Sequence, residues 1–439
     1  MEKTDANRWA DPRSLLGLLQ RGRGDGFLEA LGHPDEAVDL VVDCVTRDPR
    51  LDHQVESRGW FYAALVEELD IDLPSLRAAF AKPAAETGDD AAWLATSVFE
   101  LVARRGVPGG VSELRRYLRS GRDVDLALEH LLPLADHPEA VGLLDDILES
   151  ADTEQLREAL SWMAADFTVA PWPTWRRVST QVDHLVGEVI SQRGRRTDSA
   201  PPAALRSQRA MFTRDLLIRT GREAEAGTPQ AELIRLADDG GEDMLLDVAP
   251  ALLGDESLKV GVKAAVRRTL WGLRSPKALA WARTTASLDD EGGLAAVHLL
   301  AELAEATDLP RVRSLLEAAV AGGNDYMYAQ CALVDGIGRL ADQASLDVLE
   351  TLFEETVYSY LRRRCVRALS VIDENFATTR ASECLYDCEA ETRAIAIEAV
   401  DMDAPDNRER LAQIAGDPTE DESCRQAAVR VAQLWSEKN

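Results

Sequence analysis

The stretch YLRRRCVRALSVI, from Tyr360 to Ile372, sets four arginines around Cys365 and is the first place to look for chemistry. Guanidinium groups bind phosphate and carboxylate, and a nearby positive charge favours the nucleophilic thiolate form of cysteine. However, Leu361, Cys365 and Leu369 follow one another at steps of four, which is the spacing of one apolar helix face. We therefore interpret the cysteine as a core residue and the arginines as partners of nearby carboxylates.

The sequence offers few ligands for a metal or a catalytic cofactor. Cys384 and Cys388 lie four apart in CLYDC, but a zinc ion takes about four nitrogen or sulfur ligands and usually needs a second cluster. The six histidines are scattered. Phosphate-binding glycine loops, serine-nucleophile turns and HExxH motifs do not occur in the sequence. We expect no metal, no cofactor and no enzymatic activity.

Two tryptophans, Trp172 and Trp175, stand out in the segment PWPTWRR. Aromatic side chains often carry most of the affinity for a protein partner, so both are candidate binding residues. The alternative is that both rings hold this segment against the body of the protein.

Composition predicts the fold class and limits the partners. The 439 residues are 46% hydrophobic but only 5% aromatic, and alanine and leucine are abundant, which favours helix over sheet. The formal net charge is -28, which repels phosphate backbones, so we expect no nucleic-acid partner. No stretch has the apolar length of a signal peptide or a membrane span, which predicts a cytoplasmic protein without membrane insertion.

One helical pattern recurs along the second half of the chain. The aligned core positions are Val266, Ala296, Cys331, Cys365, Ala396 and Ala428. Successive members are 30, 35, 34, 31 and 32 residues apart, and a second helical segment lies between copies. A fainter version aligns Ala95, Ala127 and Ala159. Helix pairs at such a period predict an all-α solenoid of stacked antiparallel helix pairs.

The pattern V-(R/K)-x-x-A-(A/V)-x-x-(A/L)-L resembles the HEAT-like repeat family, in particular its short phycobilisome-lyase-type units. The clearest copies begin at Val262, Leu361 and Cys424. The resemblance implies a HEAT-like superhelix whose second helices line the concave side. Its implied contact residues, in addition to the two tryptophans, are Arg311, Arg313, Asp347, Glu350, Glu354, Arg380, Tyr386 and Arg408.

The same pattern predicts four regions. Residues 1–89 are expected to form a helical region or divergent cap, and residues 90–165 to form HEAT-like helix pairs. Residues 166–228 are expected to be an irregular insertion with a mobile loop at 193–204, and residues 229–439 to form the main repeat array.

These observations predict a non-enzymatic scaffold or adaptor that binds a protein partner through its concave surface or through the 166–228 insertion. A mixed-charge surface fits a polypeptide better than a polyanion. The alternative is a HEAT-like DNA glycosylase acting on alkylated bases, whose basic cleft with a carboxylate at its floor would be lined by Trp271 and Trp281 with Arg267, Arg268 and Arg274. A chaperone for a chromophore is suggested by the family name alone. The sequence leaves the oligomeric state open.

Overall fold

The computed structural model describes residues 9–77, 90–162, 166–197, 242–256 and 260–438. Within these ranges the chain forms helices joined by turns, and no strand occurs. The all-helical prediction is therefore confirmed. In the described part of the chain, no helix combines the length and apolar character needed to cross a bilayer.

The chain divides into two compact units. Of the described residues, unit 1 takes those within 1–200, 357–359 and 375–439, and unit 2 takes those within 201–356 and 360–374. The first part of unit 1 contains α1 (Leu15–Arg21), α2 (Gly24–Gly32), α3 (Pro34–Arg47), α4 (Gly59–Glu68), α5 (Asp90–Arg104), α6 (Gly110–Arg119), α7 (Val124–Leu131), α8 (Leu143–Ser150), α9 (Thr153–Trp162), α10 (Trp172–Val178) and α11 (Thr180–Thr197).

The helices of unit 2 follow in chain order. They are α12 (Glu242–Gly254), α13 (Val260–Trp271), α14 (Pro276–Thr285), α15 (Glu291–Leu303), α16 (Leu309–Ala321), α17 (Met327–Arg339), α18 (Leu346–Glu355) and α19 (Ser359–Ile372), of which Ser359 belongs to unit 1. The chain then returns to unit 1 with α20 (Phe376–Thr379), α21 (Ala381–Cys384), α22 (Ala390–Ala399), α23 (Pro405–Gly416) and α24 (Glu422–Lys438).

Local sequence signals set several of these helix ends. Ser275 precedes Pro276, and its side chain accepts a hydrogen bond from the amide of Ala278, which caps α14. Asp290 caps α15 in the same way by accepting from the amide of Gly293. A side-chain cap satisfies an amide that the helix itself leaves without a partner, so short helices begin at defined residues.

The six aligned core positions of the second half are all buried, and of the fainter set Ala95 and Ala127 are buried and Ala159 is partly buried. Val266, Ala296, Cys331, Cys365, Ala396 and Ala428 are each at most 6% exposed, and each lies within an α-helix. In unit 2, α15 packs between α13 and α17, and in unit 1 α22 packs against α24. The six cysteines are buried, so Cys365 is a core residue as the helix spacing predicted.

Unit 1 joins the two ends of the sequence. The amide of Cys388 donates to the carbonyl of Gly22 at 3.0 Å, and Arg23 donates to Glu383 at 2.6 Å, with both of these side chains buried. Gly22 has φ +66°, and a Cβ there would lie 2.6 Å from the Cys388 sulfur. The close approach therefore requires glycine at this position.

The units differ from the four predicted regions. Residues 9–77 share unit 1 with residues 375–438, which the sequence assigned to the repeat array. The segment expected to be irregular forms α10 and α11, and the second of these helices reaches residue 197. Most of the predicted mobile loop, from residue 198 to 204, lies outside the described residues, as do residues 198–228 of the insertion.

Candidate binding groove

A groove of about 670 Å³ opens in unit 2 along its first-in-pair helices. Trp271 of α13, His298 of α15, Tyr328 and Asp335 of α17, and side chains of α19 contribute to its lining. Of the four aligned core residues on these helices, Cys331 is part of the lining, whereas Val266, Ala296 and Cys365 are not, so most of the lining comes from residues one or two helical steps away from them.

The floor of the groove is made of small residues. Gly336 and Gly338 lie on α17, with Ala301 on α15 and Ala368 on α19. A Cβ on Gly336 would stand 2.7 Å from the carbonyl oxygen of Ala301, and one on Gly338 would stand 2.9 Å from the Cβ of Ala368. Since those separations are below normal contact distances, both glycines allow the helices to approach closely. Because the side chains at these helix contacts are small or absent, they fill little of the groove.

Aromatic rings form one wall. Trp271 and His298 stack with ring centroids 4.4 Å apart and planes inclined at 29°. Burial and, to a smaller extent, the charge of Arg267 lower the pKa of His298 to about 4, so this imidazole is neutral at pH 7. Tyr328 remains 53% exposed. The groove therefore presents flat apolar surface to a ligand.

The lining also carries an ion-pair cluster. Arg364 donates through Nη1 to Asp335 at 2.5 Å and through Nη2 to the Tyr360 hydroxyl at 2.5 Å. Arg367 lies 3.9 Å from the same carboxylate, and the guanidinium of Arg363 stacks 4.0 Å from the Tyr360 ring centroid. Burial raises the pKa of Asp335 in spite of the adjacent Arg364. The cluster holds Tyr360 and Asp335 in fixed positions.

Cys331 is the cysteine of the groove lining. It lines the groove but is only 6% exposed. Burial, opposed by the charge of Arg364, raises its pKa to about 12. A thiol with such a pKa is protonated at pH 7 and is a poor nucleophile.

The residues predicted on the second-in-pair helices of unit 2 do not line this groove. The guanidinium of Arg313 binds both oxygens of Asp342, at 2.6 and 2.9 Å, and Arg311 donates to the carbonyl of Ala286 at 2.7 Å. Asp347 is exposed, and Glu350 and Glu354 are partly buried. The groove lies on the other helix of each pair.

The predicted residues of unit 1 are not part of the groove lining. Arg380 lies 3.7 Å from Glu383, and Arg408 donates to the carbonyl of Met402 at 2.7 Å. Tyr386 has the guanidinium of Arg410 over its ring at 4.1 Å. These side chains hold neighbouring turns of unit 1 together.

Trp172 and Trp175 are buried within unit 1. Their ring centroids lie 5.2 Å apart, and Trp172 meets Phe167 at 5.0 Å, both in edge-to-face geometry. The rings are 4% and 9% exposed and belong to the core of the unit. Their position corresponds to the packing alternative, because a buried ring offers a partner little surface.

Sequence reasoning missed most of the groove. It identified Trp271, but it assigned Cys331 and the arginines around Cys365 only to the repeat. The available signals were Asp335, one helical turn after Cys331, and the glycines at 336 and 338, since close helix contacts favour small residues. Neither signal shows which helix face is open.

In the described part of the chain, no group of three or more histidine, cysteine or acidic side chains is placed to hold a metal ion. Comparison with protein-family models, curated proteins and solved structures finds no match for this chain.

Proposed function

We propose that this chain is a non-enzymatic HEAT-like adaptor that holds a polypeptide segment of a partner protein in the groove of unit 2. The observation that carries the proposal is the lining itself, in which an exposed Tyr328, a stacked Trp271 and paired charges surround a floor of small residues. Apolar surface with a few fixed polar groups is typical of sites that bind a ligand and fix its orientation.

The HEAT-like solenoid is part of this proposal. It is supported by the period of 30 to 35 residues and by the burial of all six aligned positions. A stack of helix pairs shares one continuous core and leaves extended faces for binding.

The absence of an enzymatic role is also proposed from the chemistry of the groove. Its thiol is protonated, its histidine is neutral and stacked on Trp271, and its one aspartate is bonded to Arg364. Nucleophilic catalysis needs a nucleophile next to a base, and this arrangement supplies neither.

A photo-crosslinking experiment tests the adaptor. A benzophenone amino acid replaces Tyr328 in the cell of origin, and a matched variant carries it at Val260, which is 78% exposed and begins α13. Eleven residues separate Val260 from Trp271 along that helix, or about 16 Å. We expect a discrete cross-linked protein at 328 that is missing at 260. Identical patterns at both positions would reject the groove as the binding site.

A second candidate function is removal of alkylated bases from DNA. It is favoured by one observation, the carboxylate of Asp335 among Trp271, Tyr328 and arginines in a single groove. The test is incubation with alkylated duplex DNA and detection of released base, using Asp335→Asn as the matched control. Release of base by the wild type, but not by Asp335→Asn, would establish DNA repair as the function in place of the adaptor role. The charge of -28 opposes it.

A further inference from the structure

We infer that the segment held by the unit 2 groove is acidic and inserts an aromatic or large aliphatic side chain between Tyr328 and Trp271. This inference rests on the proposed function and specifies the chemistry of its partner. Three features of the groove support the inference: its positive charge, the hydrogen bonds that hold Arg339, and the small residues beside the exposed ring of Tyr328.

The groove has a local excess of positive charge on a strongly negative protein. Arg339, Arg364 and Arg367 line it, against the two carboxylates Glu302 and Asp335. Glu302 is already paired with Arg274 at 3.0 Å, and Asp335 with Arg364 at 2.5 Å. Three arginines against two carboxylates leave the lining positive, which attracts carboxylates, whereas the chain as a whole carries a net charge of -28.

Arg339 is the arginine best placed to bind a ligand. It ends α17, and its Nη2 donates to the carbonyls of Ala301 and Ala304, at 3.0 and 2.8 Å. These two bonds fix the guanidinium in place, although the residue is exposed. In the part of the chain that the structure describes, no carboxylate pairs with Arg339. Its remaining N–H groups form a positioned donor set that matches a carboxylate.

The apolar part of the groove suits a bulky side chain. Tyr328 lies one helical turn before Cys331 on α17, and Ala332, Gly336 and Ala368, which share the lining with it, have small side chains or none. An aromatic or large aliphatic side chain there covers exposed ring surface and gains the burial free energy of its own apolar atoms.

A polypeptide fits these charges better than a nucleic acid does. A nucleic acid carries a phosphate at every nucleotide, so its binding would bring phosphates close to Glu302 and Asp335. A peptide instead places its carboxylates at chosen positions and has amide N–H groups that can donate to Asp335. The groove therefore favours an acidic peptide.

Selection from a random peptide library on the full chain tests the inference. The library is panned against the wild type, against the double variant Arg339→Glu and Arg367→Glu, and against the matched double variant Arg177→Glu and Arg430→Glu. The matched positions are exposed and lie outside the groove, and both doubles change the net charge equally. Circular dichroism confirms that each variant is folded.

We expect the enriched peptides to be acidic with at least one aromatic or large aliphatic residue. The double variant Arg339→Glu and Arg367→Glu should bind a selected peptide about tenfold or more weakly than the wild type does. The matched double variant Arg177→Glu and Arg430→Glu should keep the wild-type affinity. Tyr328→Ala should also weaken it, since the ring supplies contact area. Fluorescence anisotropy of the selected peptide at two salt concentrations measures both effects.

The possible failures are distinguishable. Suppose that the enriched peptides are basic or uncharged but do not bind the double variant Arg339→Glu and Arg367→Glu. This result would overturn the inference and leave the adaptor proposal standing. Enrichment in which no peptide depends on the groove would reject both. A single-stranded twelve-nucleotide DNA that binds more tightly than the peptides, with the same variant dependence, would assign the groove to nucleic acid.

Discussion

The guanidinium of Arg393 stacks 3.7 Å from the ring centroid of Trp60, and the same guanidinium donates to both carboxylate oxygens of Glu420 at 2.8 and 2.5 Å. The indole of Trp60 in turn donates to Asp417 at 3.1 Å. A residue of α4 is therefore held by residues of α22 and of the loop before α24. This contact ties the two ends of the sequence together inside unit 1.

Removing either side of this contact should destabilise unit 1 strongly. Trp60→Ala deletes a buried ring, and Arg393→Ala leaves the buried carboxylate of Glu420 without its partner. We expect each to lower the free energy of unfolding by about 3–5 kcal/mol, measured by urea denaturation. Arg430→Ala is the control, because its ion pair with Glu398 is half exposed and should contribute about 1 kcal/mol or less. Equal effects from Arg393→Ala and Arg430→Ala would contradict this account.

Trp172 should be a stability residue. Because its ring packs between Phe167 and Trp175, Trp172→Ala should cost about 3–5 kcal/mol of unfolding free energy. Val178→Ala, at a position 69% exposed on the same helix, should change it by less than about 0.5 kcal/mol. Thermal melts measure the effect on stability, and the cross-linking experiment above measures partner binding, so together they distinguish a packing role of Trp172 from a binding role. A Trp172→Ala protein of unchanged stability that loses its partner would restore the binding role.

Gly336 and Gly187 should respond to alanine in opposite directions. A Cβ at 336 would collide with the carbonyl of Ala301, so Gly336→Ala should destabilise by about 1–3 kcal/mol as α15 and α17 separate. At 187, on α11, nothing lies within 4 Å of the added atom. Gly187→Ala should therefore stabilise by about 0.5–1 kcal/mol through the lower entropy of the unfolded chain. Denaturation midpoints of the two variants check the sign. A stabilising Gly336→Ala would show that the helices tolerate separation.

His298 should make unit 2 less stable in mild acid. Its pKa in the folded protein is about 4, below the ordinary 6.5, so the unfolded chain binds the proton first as pH falls. The stability contribution is complete above pH 6.5 and is lost progressively down to about pH 4. Between pH 8 and pH 5 the loss is about 2 kcal/mol. His298→Gln should lack this loss, so the difference between the two proteins in urea titrations at both pH values measures it. Parallel pH profiles would contradict a buried neutral imidazole.

The helical fold could be predicted because its signals are local. The 3.6-residue spacing around Cys365 and the recurring alanines report burial directly: the six aligned core positions of the second half are buried, whereas Ala159 of the fainter alignment is only partly buried. The union of residues 9–77 with residues 375–438 could not be predicted. It depends on contacts such as Arg23 with Glu383, which are 360 residues apart and leave no periodic trace.

The site was harder to predict for a related reason. Periodicity identifies the inward face of a helix, but the open face is decided by what packs on the remaining sides. Asp335 and Arg364 lie 29 residues apart, close to one repeat, so their pairing brings equivalent faces of neighbouring helices together. The resemblance to HEAT-like repeats directed attention to the second helices, whereas the groove of unit 2 lies on the first.

The joining of the sequence ends within unit 1 also has a consequence during synthesis on the ribosome. Arg393 is added roughly 330 residues after Trp60, a delay of roughly 20 to 60 seconds at ~5–20 residues per second. For that interval Trp60 lacks the guanidinium that later stacks on its ring, so slower synthesis lengthens the time for which this face of the indole is uncovered in the nascent chain.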